Sequence, residues 1–467
     1  MRSATAYRTA RELVAEVAGG HAAPSDIAAG VLADIAALDP KLNCFAHFDP
    51  GAVMAQARTL DARIAKGEDL GPLAGLPVAI KDLIAMKGAP TAFGSKIMAG
   101  NVIDADAPSV ARIRAAGAIL LGKSTTSEFG CKAVGDSPLT GITRNPWNLD
   151  CTPGGSSAGA AALAAAGITP VAIGTDGGGS VRIPASLTGL FAMKAQFGRV
   201  PVWPASATAS LAHVGPLSRD VRDSALMMGV ISGFDARDPF AVAGPVPDYL
   251  GACERDPRGL RVVYSETFGY ARPDPEIAAL CRRAADRLAA LGCIVEEVPH
   301  LFDDPAAIWA SEFYAGVGAR LKDAMAARRA DIDPGVARML DIALAQDLAT
   351  YAARVLERHA FRETVRHIFD TYDVIAGPTL PVTAVPVGRD TPEGLEDRSP
   401  VDWVFYTYPF NLTGHPAVSI NAGFTAAGMP TGLQLAARPL AEETLFTLSA
   451  AYQDADPERD RRPEIGV

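Results

Sequence analysis

Two serines and a lysine stand out by what surrounds them. Between residues 151 and 198 the chain carries two glycine-rich turns, each containing serine. The first, Gly154-Gly155-Ser156-Ser157-Ala158-Gly159, opens an alanine- and leucine-rich helix that stops at Gly167. The second, Gly177-Gly178-Gly179-Ser180, follows the apolar strand pattern PVAIG at 170–174. Glycines ahead of a serine let consecutive backbone N–H groups point into one small volume, as an oxyanion requires, and Ser180 would stand beside that charge. Taken alone, a glycine-rich turn with a serine is usually only a turn. Neither turn is a P-loop, a GxGxxG dinucleotide fingerprint or a GxSxG nucleophile elbow. A serine nucleophile also needs a base. None of the seven histidines lies near either turn, and His213 and His415 fall in loop-like contexts. A lysine can take the role if burial lowers its pKa from about 10.4 towards neutrality. Lys81 ends the apolar run LPVAI. On its own, such a lysine reads more often as a strand-end residue reaching solvent.

Together these segments resemble the amidase-signature family. Its hallmark is matched by VAIKDLI (78–84), GGSSAG (154–159) and TDGGGSVRIPA (175–185), and Lys81 precedes Ser156 by 75 residues, Ser156 precedes Ser180 by 24. PLAGLPVAIKDLI, AGAILLGKSTTSEFG, TRNPWN, GPLSRDVRD and FNLTGHPAVSINAGF extend the resemblance over nearly the whole chain; it is weakest around 300–370 and 385–402. The resemblance implies an α/β amidase-signature fold, a large twisted mixed β-sheet between layers of α-helices. It implies an amidohydrolase with Ser180 as acylated nucleophile, Ser156 as bridge and Lys81 as base, and a cis peptide at Ser156. The N–H groups of Gly177, Gly178, Gly179 and Ser180 would form the oxyanion hole. The carbonyl near Gly130 would touch the substrate amide. Thr175, Asp176 and Arg182 would hold the loop, with Asp82 and Ser157 in similar roles. Ala158 stands where the family often has glycine. Two alternatives stay open: the ammonia-delivering A subunit of the glutamyl-tRNA amidotransferase, and an inactive binding homologue. VDWVFYTYPFNLTGHPA looks more like free-standing bacterial amidases than that amidotransferase component. The intact Lys-Ser-Ser set speaks against inactivity. The family accepts amides, anilides, esters and carbamates, so the substrate is not readable.

The elements that must hold these residues follow from periodicity. Short apolar strands are expected at 76–80, 118–122, 170–174, 259–266 and 293–298, with three more at 373–379, 417–424 and 431–437. Helices are expected at about 51–65, over 275–292 and over 442–455, and after Pro24, where Ser25 would cap a helix carrying Ile27, Val31, Leu32, Ile35 and Leu38. Alternating strands and helices indicate one α/β sheet covered on both faces. The chain reads as a single domain over 1–467, with an N-terminal helical segment over 1–70 packing on a catalytic core over 75–220. Residues 300–370 turn helical; an outer layer is the favoured reading over a cap on a pocket. Trp309, Phe313, Tyr314, Trp403 and Phe405 are candidates for an aromatic pocket, though each reads individually as core. The polar end from 456 to 467 reads as frayed.

Composition bounds the rest. With 467 residues, 49% hydrophobic, the chain can bury a large core. A formal charge of -10 and interspersed charges give nucleic acid or an anionic membrane nothing to grip. Six cysteines without CxxC spacing suit reduced, buried thiols. No stretch is apolar for long enough to span a membrane, and the N-terminus reads as helical rather than as a signal peptide. The expectation is a cytoplasmic enzyme acting on a small amide-type substrate with water. Neither a metal nor an organic cofactor is called for, and a homodimer stays open.

Overall fold

The computed structural model describes residues 2–208 and 210–465. Eleven strands form one mixed sheet. Their order across it is Phe45–Phe48, Ile119–Ser124, Pro77–Lys81, Val171–Asp176, His213–Ser218, Phe191–Lys194, Ala417–Phe424, Pro430–Ala437, Val374–Pro378, Arg261–Tyr264, Ile294–Glu297. Pro77–Lys81 runs parallel to both its neighbours, Ile119–Ser124 and Val171–Asp176. Beyond them His213–Ser218 reverses direction. The three parallel strands therefore deliver Lys81, Ser124 and Asp176 to one edge of the sheet.

Strands covered on both faces read as continuous apolar runs, and Val78, Ala79, Ile80, Val171, Ala172 and Ile173 are all fully buried. The helix Ala158–Ala165 is buried along its whole length. Its alanines and one leucine let it run directly against this part of the sheet, so the turn that starts it sits over the parallel strand ends.

The expected strands and helices are present, and three strands of the large sheet lie outside the expected set: Phe45–Phe48, Phe191–Lys194 and His213–Ser218. The first two are only four residues long. The third carries Gly215-Pro216, a pairing that argues against a central strand, yet Pro216 sits opposite Ile173 in the ladder. His213 is thus a strand residue, not a loop one. The second helix runs from Pro24 to Leu42 after Ala23, so Ser25 lies inside its first turn; the Ala23 N–H instead donates to the Asp26 carboxylate. The C-terminal stretch is packed rather than frayed as far as it is described. Asp456 pairs with Arg287 at 3.2 Å, and the Arg461 guanidinium lies over the Phe424 ring. Residues 466–467 lie outside the described range.

The helical region comprises Ala306–Arg328, Pro334–Ala345 and Leu348–Ile368. It shares a second hydrophobic core with the segment 401–412. The helix Ala306–Arg328 is more than an outer layer: Phe313, Val317 and Leu321 on it form one wall of the cavity described below. Among the described residues no helix is long and apolar enough to cross a membrane.

Candidate active site

Lys81 has no solvent exposure. Its Nζ donates to Ser156 Oγ at 2.7 Å, Ser157 Oγ at 2.9 Å and Thr175 Oγ1 at 2.9 Å. These close partners are hydroxyls, not carboxylates. Burial pushes the amine well below the ordinary lysine range, and the charge of Asp176 opposes this as the smaller effect. The strand-end lysine therefore points inward, beneath both glycine turns.

Ser156 follows a cis peptide from Gly155. Ser157 links the turns: its N–H donates to the Ser180 carbonyl at 3.2 Å, and its hydroxyl donates to the Thr175 carbonyl at 3.2 Å. Ser180 and Ser156 line the same cavity. The Ser180 hydroxyl makes no hydrogen bond among the described residues, to Ser156 or to any other group.

Asp176, at the end of its strand, organises the second turn. Its carboxylate accepts the Gly179 N–H at 2.8 Å, the Val181 N–H at 3.3 Å and Asn411 Nδ2 at 2.8 Å. Arg182 donates to it twice, at 3.0 and 2.9 Å. Burial would raise the Asp176 pKa, but the Arg182 charge and hydrogen bonds hold the carboxyl well below its usual range. Arg182 in turn reaches the Thr407 carbonyl at 2.9 Å and Gln434 Oε1 at 2.7 Å, so this buried ion pair is satisfied on every side. Because Gly179 N–H is engaged by Asp176, the N–H groups left without an acceptor among the described residues are those of Gly177, Gly178 and Ser180. Space explains the glycines: a Cβ on Gly178 would lie 2.6 Å from the Trp309 ring, and one on Gly179, at φ +134°, 2.3 Å from Thr407 Oγ1.

Gly130 closes the turn Glu128–Gly130 and lines the cavity, its carbonyl without a partner among the described residues. Asp82 departs from expectation. It does not brace the glycine loop; its carboxylate accepts the N–H groups of Ala92 and Gly94, each at 3.1 Å, and faces Lys123 at 3.5 Å. His213 Nδ1 donates to the Leu211 carbonyl at 2.8 Å and the Asp176 carbonyl at 3.1 Å, which places its proton there. Burial, then the nearby Lys194, pushes this imidazole well below its usual range. His415 packs on Phe369, and burial lowers it to about 3.

The cavity holds about 560 Å³ and is mostly apolar. Of the five aromatic candidates only Phe313 lines it. Trp309 lies behind the glycine loop, its Nε1–H donating to the Gly177 carbonyl at 2.8 Å; Tyr314 donates to the Cys131 carbonyl, and Trp403 and Phe405 are core. The rest of the aromatic lining comes from Phe93, Phe129 and Trp203, which the sequence does not single out. Phe93 and Phe129 stack with centroids 6.1 Å apart, both at positive φ. Apart from Phe129 standing next to Gly130, no pattern in the sequence marks them.

Comparison with known proteins agrees with this architecture. The sequence profile of the amidase family matches residues 26–446. An acylamidase of Rhodococcus erythropolis is 36% identical over 469 residues, 98% of this chain and 97% of its own. The A subunit of the glutamyl-tRNA(Gln) amidotransferase of Moorella thermoacetica is also 36% identical, over 99% of each chain. The crystal structure of a bacterial aryl acylamidase of the amidase-signature enzymes superposes with a TM-score of 0.91 at 30% identity, over 97% of both chains. The fold is that of the amidase-signature enzymes. The chain belongs to the amidase family and is an amide-hydrolysing enzyme.

Proposed function

We propose that the enzyme cleaves amides bearing an apolar aryl or alkyl group through a Ser180–Ser156–Lys81 triad. The observation that carries this is the buried amine of Lys81, lowered in pKa and 2.7 Å from Ser156, under a cavity that Ser180 faces with a free hydroxyl. A neutral amine has two N–H donors and one lone pair, so one of its three hydroxyl partners must direct a proton at it. The Ser157 proton goes to the Thr175 carbonyl. With Thr175 Oγ1 accepting from the amine, Ser156 gives its proton to Lys81 while taking that of Ser180.

Ser180 Oγ then bonds to the substrate carbonyl carbon, and the oxyanion accepts from Gly177, Gly178 and Ser180 N–H. The proton returns through Ser156 to the leaving nitrogen, the C–N bond breaks, and water hydrolyses the acyl-enzyme by the same relay. The Ser180–Ser156 hydrogen bond closes with substrate in place. The free carbonyl of Gly130 accepts the substrate amide N–H. Asp176, Arg182, Thr175 and Ser157 hold these groups in position. The reading needs no partner chain, since each group comes from this one. Six buried free thiols support a place in the reducing cytoplasm.

Ser180→Ala is the test. It should remove turnover and covalent labelling by a fluorophosphonate while leaving the fold intact; a variant keeping more than a tenth of the wild-type rate overturns the assignment. A panel of nitroanilides, primary amides and carbamates then defines the substrate. The equal identity to an amidotransferase component favours glutamine as a second reading. The apolar lining weighs against it, because glutamine's two backbone charges would have to be desolvated there. Glutaminase activity exceeding that on every apolar amide would reverse the choice.

A further inference from the structure

The glycine loop is held from behind, peptide by peptide. Each carbonyl from Asp176 to Ser180 accepts a hydrogen bond. The Asp176 carbonyl accepts from His213 Nδ1 at 3.1 Å and Asn411 Nδ2 at 3.2 Å. Gly177 accepts from Trp309 Nε1 at 2.8 Å, and Gly178 from Thr407 Oγ1 at 2.6 Å. Gly179 accepts from Ile183 N–H at 2.7 Å and Ser180 from Ser157 N–H at 3.2 Å. A trans peptide is planar, with its N–H opposed to its C=O. Fixing a carbonyl therefore aims the N–H of the next residue. The carbonyl of Asp176 aims the N–H of Gly177, that of Gly177 aims Gly178, and that of Gly179 aims Ser180. These are the three amides of the loop without an acceptor among the described residues. The carbonyl of Gly178 aims Gly179, whose N–H meets Asp176 instead.

We propose that Trp309 is a positioning residue for the oxyanion hole: its indole N–H, by holding the Gly177 carbonyl, directs the Gly178 N–H at the developing oxyanion. His213 acts likewise on the Asp176 carbonyl, whereas Thr407 holds the peptide whose N–H is engaged by Asp176. The inference rests on the oxyanion role proposed above. A glycine loop has no side chains to resist a peptide flip, so its orientation must be imposed from outside. Trp309 is suited to this. It is buried and stacked on Phe313 and Tyr408, with centroids 4.7 and 5.8 Å away, and its ring fills the space a Cβ on Gly178 would need. Trp309 and Thr407 come from the helix Ala306–Arg328 and the segment 401–412, outside the glycine motif. His213 acquires a role other than base. Its donating nitrogen is bound to the loop and not turned to Ser180.

Trp309→Phe keeps a stacked aromatic ring and deletes the N–H together with part of the bicycle. Its kcat should fall about 10-fold or more, part of what losing an oxyanion donor costs, with KM unchanged. The second-order rate of fluorophosphonate labelling at Ser180 should fall in parallel, because its phosphonyl oxygen occupies the oxyanion position. The rising limb of the pH–rate profile should stay in place, since Lys81 is untouched. A kcat within twofold of wild type overturns the proposal, as does a loss expressed in KM with labelling unchanged. Trp309→benzothienylalanine, which keeps the bicyclic ring and replaces only the N–H, gives an independent reading if Trp309→Phe fails to fold. That variant should lose kcat and labelling rate together; wild-type rates in it overturn the proposal. Failure here leaves Ser180→Ala inactive, whereas an active Ser180→Ala defeats the underlying reading itself.

Discussion

Lys81 and Lys123 stand on adjacent parallel strands, each at the end of a buried apolar run, and each is fully buried. Burial lowers both. What separates them is the company they keep. Lys81 meets hydroxyls of the two glycine turns. Lys123 donates to the Ile84 carbonyl at 2.7 Å and Thr91 Oγ1 at 2.8 Å, faces Asp82 at 3.5 Å, and is lowered to about 8. Burial also raises Asp82, so desolvation outweighs pairing for both partners of this ion pair. A buried lysine with a lowered pKa is therefore not by itself a catalytic base. The strand's place beside a serine-bearing turn makes the difference.

The largest effect that should break the symmetry is in turnover. Lys81→Ala should cost about 10³-fold or more in kcat, by analogy with other activated nucleophiles, and leave the fold in place. Lys81→Arg should rescue nothing, because arginine stays protonated. Wild-type rate should rise with pH through the lowered pKa of Lys81, since the neutral amine is the active form. The alanine variant should lose that limb. A pH–rate profile of the three proteins decides; a limb that survives in Lys81→Ala removes the lysine from the role of base.

Lys123 should respond in stability instead. Lys123→Met leaves Asp82 buried without its cation, which costs about 3 kcal/mol or more in denaturant unfolding. The folded fraction should keep kcat within about tenfold of wild type, because Lys123 touches the cavity only through Ile84. A loss as deep as that of Lys81→Ala would erase the distinction between the two lysines.

Sequence separated these lysines only through motif. VAIKDLI and AILLGKS share a local pattern, apolar residues followed by lysine, and periodicity treats them alike. Long-range strand order decides which lysine lies under the turns. The reacting groups were legible because glycine and serine at fixed spacing leave few other uses. The sheet was legible where strands were apolar and unbroken. It was hidden where Gly215-Pro216 interrupted His213–Ser218, and with it the setting of His213. The cavity lining was the least legible. Phe93 and Phe129 sit in left-handed backbone conformations that no periodicity encodes, and Trp309 looked like a pocket aromatic but acts on the loop from behind.

The smallest expected effect tests whether neighbours in sequence are coupled in chemistry. Asp82 follows Lys81, yet its side chain turns to Lys123, and the influences on Lys81 are burial and Asp176. Asp82→Asn should therefore leave the rising limb of the pH–rate profile within a few tenths of a unit. Stability should change differently. Lys123 is lowered to about 8 against burial partly opposed by the Asp82 charge, so the variant should lower it further. For a lysine lowered on folding, the folded protein releases a proton that the unfolded chain still holds. Stability then rises with pH from the folded value up to the ordinary lysine value, and is flat below the folded value, where both states keep the proton. In wild type the Lys123 contribution should rise from about 8 upward. In Asp82→Asn the rise should begin at lower pH. Subtracting urea-unfolding free energies of the two proteins across pH isolates this window from the other buried lysines. A rate limb that moves together with the stability window would mean that the two lysines titrate as one unit, and the separation drawn between them would fall.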